Sequence, residues 1–334
     1  MIDLSSNYLG LSLKNPLVAS SSPLTDNLDD VRRLEDAGAA AIVLPSLFEE
    51  SITREQQQLE KFVHSQSLGH YEAESYRPVP ENYKSELENY LDHLQSLKSS
   101  LSIPVIASLN GVSNTGWIDY GKELMQAGAD ALELNVYYVA ADPEQSGEQV
   151  ENRYIDLLNS LRGQVNIPVT MKLSSQFSSV ANMVTKLQAA GADGVVLFNR
   201  FYQPDIDLET LKILPHLELS KPHESLLRIR WIALIRSRVE LSLAATGGFH
   251  RVEDIIKALL VGADAVYLCS VLLEKGPEHC VELLKQLDHW LTEHEYESVQ
   301  QMQGSVSQAC VIDPAVYEHS NYIDVIKSFK KINK

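Results

Sequence analysis

The sequence predicts an α/β protein of the (β/α)8 or TIM-barrel class, and three observations lead there. A helix that ends at glycine, followed by alanine and a short apolar run, occurs four times, in segments 36–45, 126–135, 189–199 and 260–270. Two more apolar runs open with Ile-Pro-Val, at Ile103-Pro104-Val105 and Ile167-Pro168-Val169. Asn15-Pro16-Leu17-Val18-Ala19-Ser20 in front and Leu241-Ser242-Leu243-Ala244-Ala245-Thr246 behind bring the strands to eight. Glycine just past a helix takes the left-handed cap, and a near-continuous apolar strand is buried on both faces of a parallel sheet.

In order, strand one is predicted at 16–20, followed by a helix over 28–37. Strand two, 40–44, opens onto the longest irregular stretch, 46–80, which holds Phe48, Phe62, His64, His70, Tyr71 and Tyr76. An insertion of that length at the C-terminal face of a barrel reads as a lid or binding loop, with a contact in a homodimer as the competitor. A helix over 81–98 carries an apolar stripe at Leu87, Tyr90, Leu91, Leu94 and Leu97 that needs no functional reading. Strands follow at 104–109, 131–136, 168–173 and 194–198, with helices between them. After a second irregular stretch, 199–222, come a helix, a strand at 241–245, a helix, the last strand at 265–268 and a helix over 277–293. The final 40 or so residues wrap the outside.

The chain has 334 residues, 44% hydrophobic and 22% charged, with a net charge of −17. The size fits one barrel with insertions, and no linker-like composition break divides it, so residues 1–334 read as one domain. The negative charge argues against nucleic acid or an anionic membrane as partner. The basic cluster of the tail, 327–334, reads as a frayed terminus. No signal peptide pattern opens the chain and no apolar stretch approaches a bilayer span. Cys269, Cys280 and Cys310 are odd in number and lack a C-x-x-C pair, which fits a reduced, cytoplasmic protein without a metal or iron–sulfur site.

The chemistry of such a barrel lies at the C-terminal ends of its strands. Gly247-Gly248 closes strand seven and opens a helix, where free N–H groups and the helix dipole favour an anion. Cys269-Ser270 ends strand eight and completes a phosphate cradle, against the reading of a plain tight turn. Lys172 ends strand five inside an apolar run and needs an anionic or acceptor partner, a structural salt bridge being the alternative. Asn135 and Asn199 end strands four and six; a carboxamide both donates and accepts, which suits a heterocyclic amide edge or a tie between loops.

Taken in order, these segments resemble the dihydroorotate dehydrogenase family, with related matches to the flavin barrel of dihydropyrimidine dehydrogenase. The resemblance runs through nearly the whole chain. It rests on 15–20, on Ala131-Leu132-Glu133-Leu134-Asn135, on Met171-Lys172-Leu173, on Ala245-Thr246-Gly247-Gly248, on 261–266, and on Tyr296-Glu297-Ser298-Val299 with Gln303-Gly304. It implies an FMN cofactor, its phosphate on Gly247, Gly248, Cys269 and Ser270, and Lys172 beside the pyrimidine end of the flavin ring. A fixed cation there stabilises charge arriving on the ring. Ala19, Ser20, Asn135 and Asn199 would complete the flavin and substrate contacts. The implied reaction is oxidation or reduction of a CH–CH bond in a dihydropyrimidine-like small molecule, dihydroorotate to orotate in pyrimidine biosynthesis.

Two departures stand out. The family's Asn-Leu-Ser-Cys-Pro-Asn, with Cys or Ser as base, is here Asn135-Val136-Tyr137-Tyr138-Val139-Ala140. The catalytic base position falls on Tyr138, and a phenol is a poor base at neutral pH. Where the family has a lysine before Ser or Thr on strand two, this chain has Pro45-Ser46. Rival readings are a flavin-binding relative with another substrate or no turnover, with His64 or His70 supplying any base, and a flavin-free sugar-phosphate isomerase or lyase.

Overall fold

The computed structural model describes residues 2–67, 83–111, 114–318 and Lys327. Two short strands, β1 (Ser6–Tyr8) and β2 (Leu11–Leu13), form a hairpin at the start of the chain. Then come β3 (Leu17–Ala19), α1 (Leu28–Asp36), β4 (Ala41–Phe48), α2 (Glu49–Ser67), α3 (Glu86–Ser100), β5 (Val105–Asn110), α4 (Asn114–Gln126) and β6 (Ala131–Asn135). The second half runs α5 (Gly147–Arg162), β7 (Val169–Leu173), α6 (Val180–Ala189), β8 (Gly194–Leu197), β9 (Asp205–Asp207), β10 (Lys212–Leu214), α7 (Ser225–Ile235), β11 (Ser242–Thr246), α8 (Val252–Val261) and β12 (Ala265–Leu268). It ends with α9 (Ser270–Lys275), α10 (His279–Glu293), α11 (Val299–Met302) and α12 (Ala315–Glu318).

Eight parallel strands close in the order β11-β12-β3-β4-β5-β6-β7-β8, the barrel that the sequence predicts. The helices lay their apolar stripes on its outer face, where one large cluster of buried side chains joins strands and helices. A second, smaller cluster fills the barrel's interior, and Tyr8, Leu9 and Leu13 of the N-terminal hairpin belong to it. The hairpin therefore plugs the N-terminal end of the barrel, a role that no periodicity in so short a segment announces. Among the described residues, no helix is long and apolar enough to cross a membrane.

The glycine–alanine repeat has a structural purpose at that same end. Gly38, Gly128, Gly191 and Gly262 take positive φ, as helix caps of this kind require. In three of the four copies an aspartate follows, and its carboxylate accepts the N–H that opens a neighbouring strand. Asp130 takes that of Val105, Asp193 that of Val169 and Asp264 that of Leu243, each at 2.7 Å. Each carboxylate is also paired with a cation, Lys98, Arg162 or Arg236. The first copy lacks the aspartate, and there Asn15 accepts from Leu17 N–H at 2.9 Å.

Segments 46–80 and 199–222 are more regular than expected. β4 continues through Pro45 to Phe48 because the register with β5 shifts between Val43 and Ser46, and a proline is tolerated at such an irregularity. Helix α2 follows directly; its glutamates and glutamines favour helix without drawing an apolar stripe. Residues 68–82, with His70, Tyr71 and Tyr76, lie outside the described residues, as does the side chain of His64. In the second segment β9 and β10 pair as an antiparallel hairpin.

Candidate functional site

A cleft of about 940 Å³ opens at the C-terminal ends of β3, β7, β8, β11 and β12. Ser20, Lys172, Asn199, Gly247, Gly248, Cys269 and Ser270 all line it. Residues separated by as much as 250 positions are thus brought to one opening. Ala19 is fully buried in the outer cluster and does not line the cleft, and Asn135 reaches it only through Asn199.

Lys172 stands in a strand whose residues are all buried, and its ammonium lies 3.1 Å from Oε1 of Glu133 on β6. Glu133 has no exposed surface, and its Oε2 makes no hydrogen bond. Behind this pair the hydroxyls of Tyr267 and Tyr8 meet at 3.0 Å, and Tyr8 also donates to Thr170 Oγ1 at 3.4 Å. Burial holds both phenols well above their ordinary titration range, and the Glu133 carboxylate adds to the effect. Burial also pushes the Cys269 thiol up, with the Lys172 charge partly opposing it. A polar column therefore descends from the cleft into the barrel.

The opposite corner of the cleft is built from backbone. Gly247 and Gly248 have φ of 92° and 89°. A Cβ on Gly248 would sit 2.4 Å from Ser225 N and 2.9 Å from Lys221 O, so only glycine lets the two chain segments approach. Gly248 N–H donates to Ser220 Oγ at 3.2 Å, and Ser220 donates its N–H and hydroxyl to Ser270 Oγ at 3.0 and 2.8 Å. Having accepted twice, Ser270 keeps its own proton to donate. Behind Gly247 lies the guanidinium of Arg228, buried and bound to the carbonyls of Thr246 and Glu224, each at 2.9 Å. Burial draws its basicity down while the Glu224 carboxylate opposes the change. That carboxylate is itself 3.3 Å from Arg200, another cleft residue. Ser220, Arg200 and Arg228 are absent from the sequence-based site because they come from the region after β8 and from the buried face of α7, and no motif marks them.

Asn199 Nδ2 donates to Asn135 Oδ1 at 2.6 Å, and Asn135 Nδ2 donates to Ser46 Oγ at 3.3 Å. Ser46 and Ser108 share a hydrogen bond at 2.8 Å. The two carboxamides are therefore tied together, and Ser46 completes a polar row across β8, β6, β4 and β5.

Tyr138 is not brought to this cleft. Its hydroxyl donates to Gln145 and its ring lies 4.0 Å beneath the Arg153 guanidinium, over a small hollow that includes Trp117 and Leu157. Chain direction explains the placement, because β6 stops at Asn135 and the next residues leave the barrel rim. Tyr137 instead stacks on Phe201, ring centroids 4.2 Å apart, and its hydroxyl accepts from Tyr202 N–H at 3.2 Å. Tyr202 lines the cleft.

Comparison with known proteins places the sequence in a family. The sequence profile of the dihydroorotate dehydrogenase family matches residues 79–291. Among the relatives is dihydroorotate dehydrogenase B (NAD(+)), catalytic subunit, of Thermoplasma acidophilum, 24% identical over 328 residues, covering 91% of this chain and 99% of that protein. The same-named subunit of Bacillus pumilus is 26% identical over 234 residues, 66% of this chain and 71% of that protein. The NAD-dependent dihydropyrimidine dehydrogenase subunit PreA of Escherichia coli K12 is 23% identical over 321 residues, 90% of this chain and 76% of that protein. The matched span runs from ahead of α3 almost to the end of α10 and includes Lys172, the glycine pair and Ser270. This chain belongs to the dihydroorotate dehydrogenase family.

Proposed function

We propose that the protein is an FMN-dependent oxidoreductase acting on a CH–CH bond of a dihydropyrimidine, with dihydroorotate as the first substrate to try. The observation that carries the reading is the pairing, across one cleft, of an ammonium on β7 with a glycine-lined corner at the ends of β11 and β12. That corner fits a phosphate, because Ser270 has a proton to give and Arg228 supplies buried positive charge behind Gly247. When bound, FMN would supply the hydride-accepting ring.

This chain's own residues would do the rest. Lys172 would place a fixed charge beside the ring's pyrimidine edge, where negative charge develops. Asn199, held by Asn135, would offer its carboxamide to a cyclic amide. The closed barrel floor under Lys172 would keep water from the reacting face. Tyr138, spent on Gln145 and Arg153, reads as packing rather than as the base. Relatives named as NAD(+)-linked catalytic subunits support onward passage of electrons to a partner protein.

The test is anaerobic. Protein loaded with FMN is mixed with dihydroorotate, dihydrouracil and dihydrothymine, and the flavin absorbance is followed. Bleaching by one of them identifies the substrate. A flavin that binds and stays oxidised with every dihydropyrimidine would leave a binding protein, and a chain that takes up no flavin would return the sugar-phosphate reading.

A further inference from the structure

We infer that Glu133 is a positioning residue: its carboxylate is the fixed counter-charge that anchors the Lys172 ammonium at the floor of the cleft and limits how much of that charge a ligand receives. The part of this that concerns flavin rests on the reading above; the part that concerns Lys172 does not. Among the described residues, the ion pair of Lys172 is with Glu133. The side chain of Lys172 is 10% exposed and that of Glu133 is 0% exposed, so the pair is shielded from solvent.

The arrangement is costly as a mere structural tie. Glu133 Oε2 is buried without a hydrogen-bond partner, and replacing such a pair by apolar side chains is often neutral or stabilising. The other groups facing the pair are Thr170 on β7, Tyr267 on β12, Tyr8 on β1, Tyr90 on α3 and Cys269 after β12, with Asp264 acting on Tyr8 from farther off. None of them is a second cation. One negative and one positive charge thus sit at the floor, and only the positive one borders the cleft. A ligand that gains negative charge there meets an ammonium already half committed to Glu133.

Two consequences separate this role from simple packing. With Glu133→Gln the amide keeps the shape but not the charge, so Lys172 should lose its proton at lower pH. In the flavin-loaded protein the same change removes a negative charge from beneath the ring, so reduction should become easier.

The experiment uses the full chain without added ligand. Acetylation of Lys172 by acetic anhydride is followed by peptide mass spectrometry from about pH 6 to about pH 10, a range that brackets a lowered lysine. In E133Q the midpoint of the rate profile is expected to fall by about one unit or more, which makes acetylation about tenfold faster near pH 8. The plateau at high pH reports access rather than charge, so a change confined to the plateau overturns the inference, as does a profile that coincides with the parent's. If E133Q does not fold, Glu133→Asp draws the charge back by one methylene and should move the midpoint the same way by a smaller amount; an unmoved midpoint overturns the inference. With FMN bound, the E133Q midpoint potential at about pH 6 should be more positive than the parent's, and an equal or more negative value contradicts it. A parent that binds no FMN sinks the proposed function, while the Lys172 profile still decides this inference.

Discussion

The two ends of the barrel handle polar groups in opposite ways. At the N-terminal end each aspartate of the repeat is satisfied: Asp264 accepts from Leu243 N–H, Arg236 and Gln303, and Asp130 and Asp193 follow the same plan. At the C-terminal end the accounts are left open. Glu133 Oε2 has no partner, Ser270 has a proton to spare, and Arg228 lies buried with carbonyls rather than a carboxylate as its hydrogen-bond partners. Buried polar groups are normally satisfied, so the unmet Glu133 Oε2 sets this end apart from the other. The same repeat, Gly-Ala followed by a strand, thus builds stability at its start and in two of its copies, β8 and β12, leads to the cleft where the strand ends.

Substitutions that disturb one end without the other put this contrast under strain. The largest effect belongs to the open end. Gly248→Ala places a Cβ against Ser225 N and Lys221 O in a backbone conformation that alanine resists, so FMN affinity is expected to fall by about 10³-fold or beyond detection after desalting. Affinity within tenfold of the parent would show that the corner does not hold the phosphate. Lys172→Ala should retain much of the FMN but slow flavin reduction by about 10²–10³-fold, because the ammonium acts chiefly on charge that develops during reaction. Parental reduction kinetics in a stopped-flow trace would remove Lys172 from the reacting edge.

The closed end should answer in stability. Asp264→Ala leaves Leu243 N–H and the Arg236 guanidinium without their acceptor, at a cost of about 3 kcal/mol in urea unfolding, with FMN affinity unchanged. A loss of affinity as large as the loss of stability would mean that the two ends are not separate. The smallest effect is expected at Tyr138. Tyr138→Phe gives up the bond to Gln145 but keeps the ring under Arg153, so turnover should change by less than threefold and stability by about 1 kcal/mol. A fall of about 10²-fold would restore Tyr138 as the base.

The contrast also marks what a sequence can show. The eight strands are legible because each is a short apolar run set off by a cap, and Lys172, Asn135, Asn199 and the glycine pair are legible because a polar residue or paired glycines end such a run. Glu133 carries the same signal as Lys172, a charge inside an apolar strand, and becomes meaningful only when the barrel brings the two within 3.1 Å. Ser220 and Arg228 have no such flag, since they reach the corner from a connecting segment and a helix face. Tyr138 shows the reverse error. Alignment with a motif places a residue at a position along the chain, whereas the end of β6 at Asn135 decides where its side chain goes. The proline in β4 and the helix α2 are hidden for a related reason: a register shift and a polar helix both lack the periodicity that announces an element.

A paired titration decides whether the open end takes a flavin through its phosphate. Purified protein stripped of ligand is titrated with FMN and, separately, with riboflavin, and binding is followed by quenching of flavin fluorescence. One site per chain is expected, with an FMN affinity at least about 100-fold above that of riboflavin, since the proton that Ser270 has to give and the Arg228 charge behind Gly247 would act on the phosphate alone. Equal affinity for the two flavins, or binding of neither, would contradict the account.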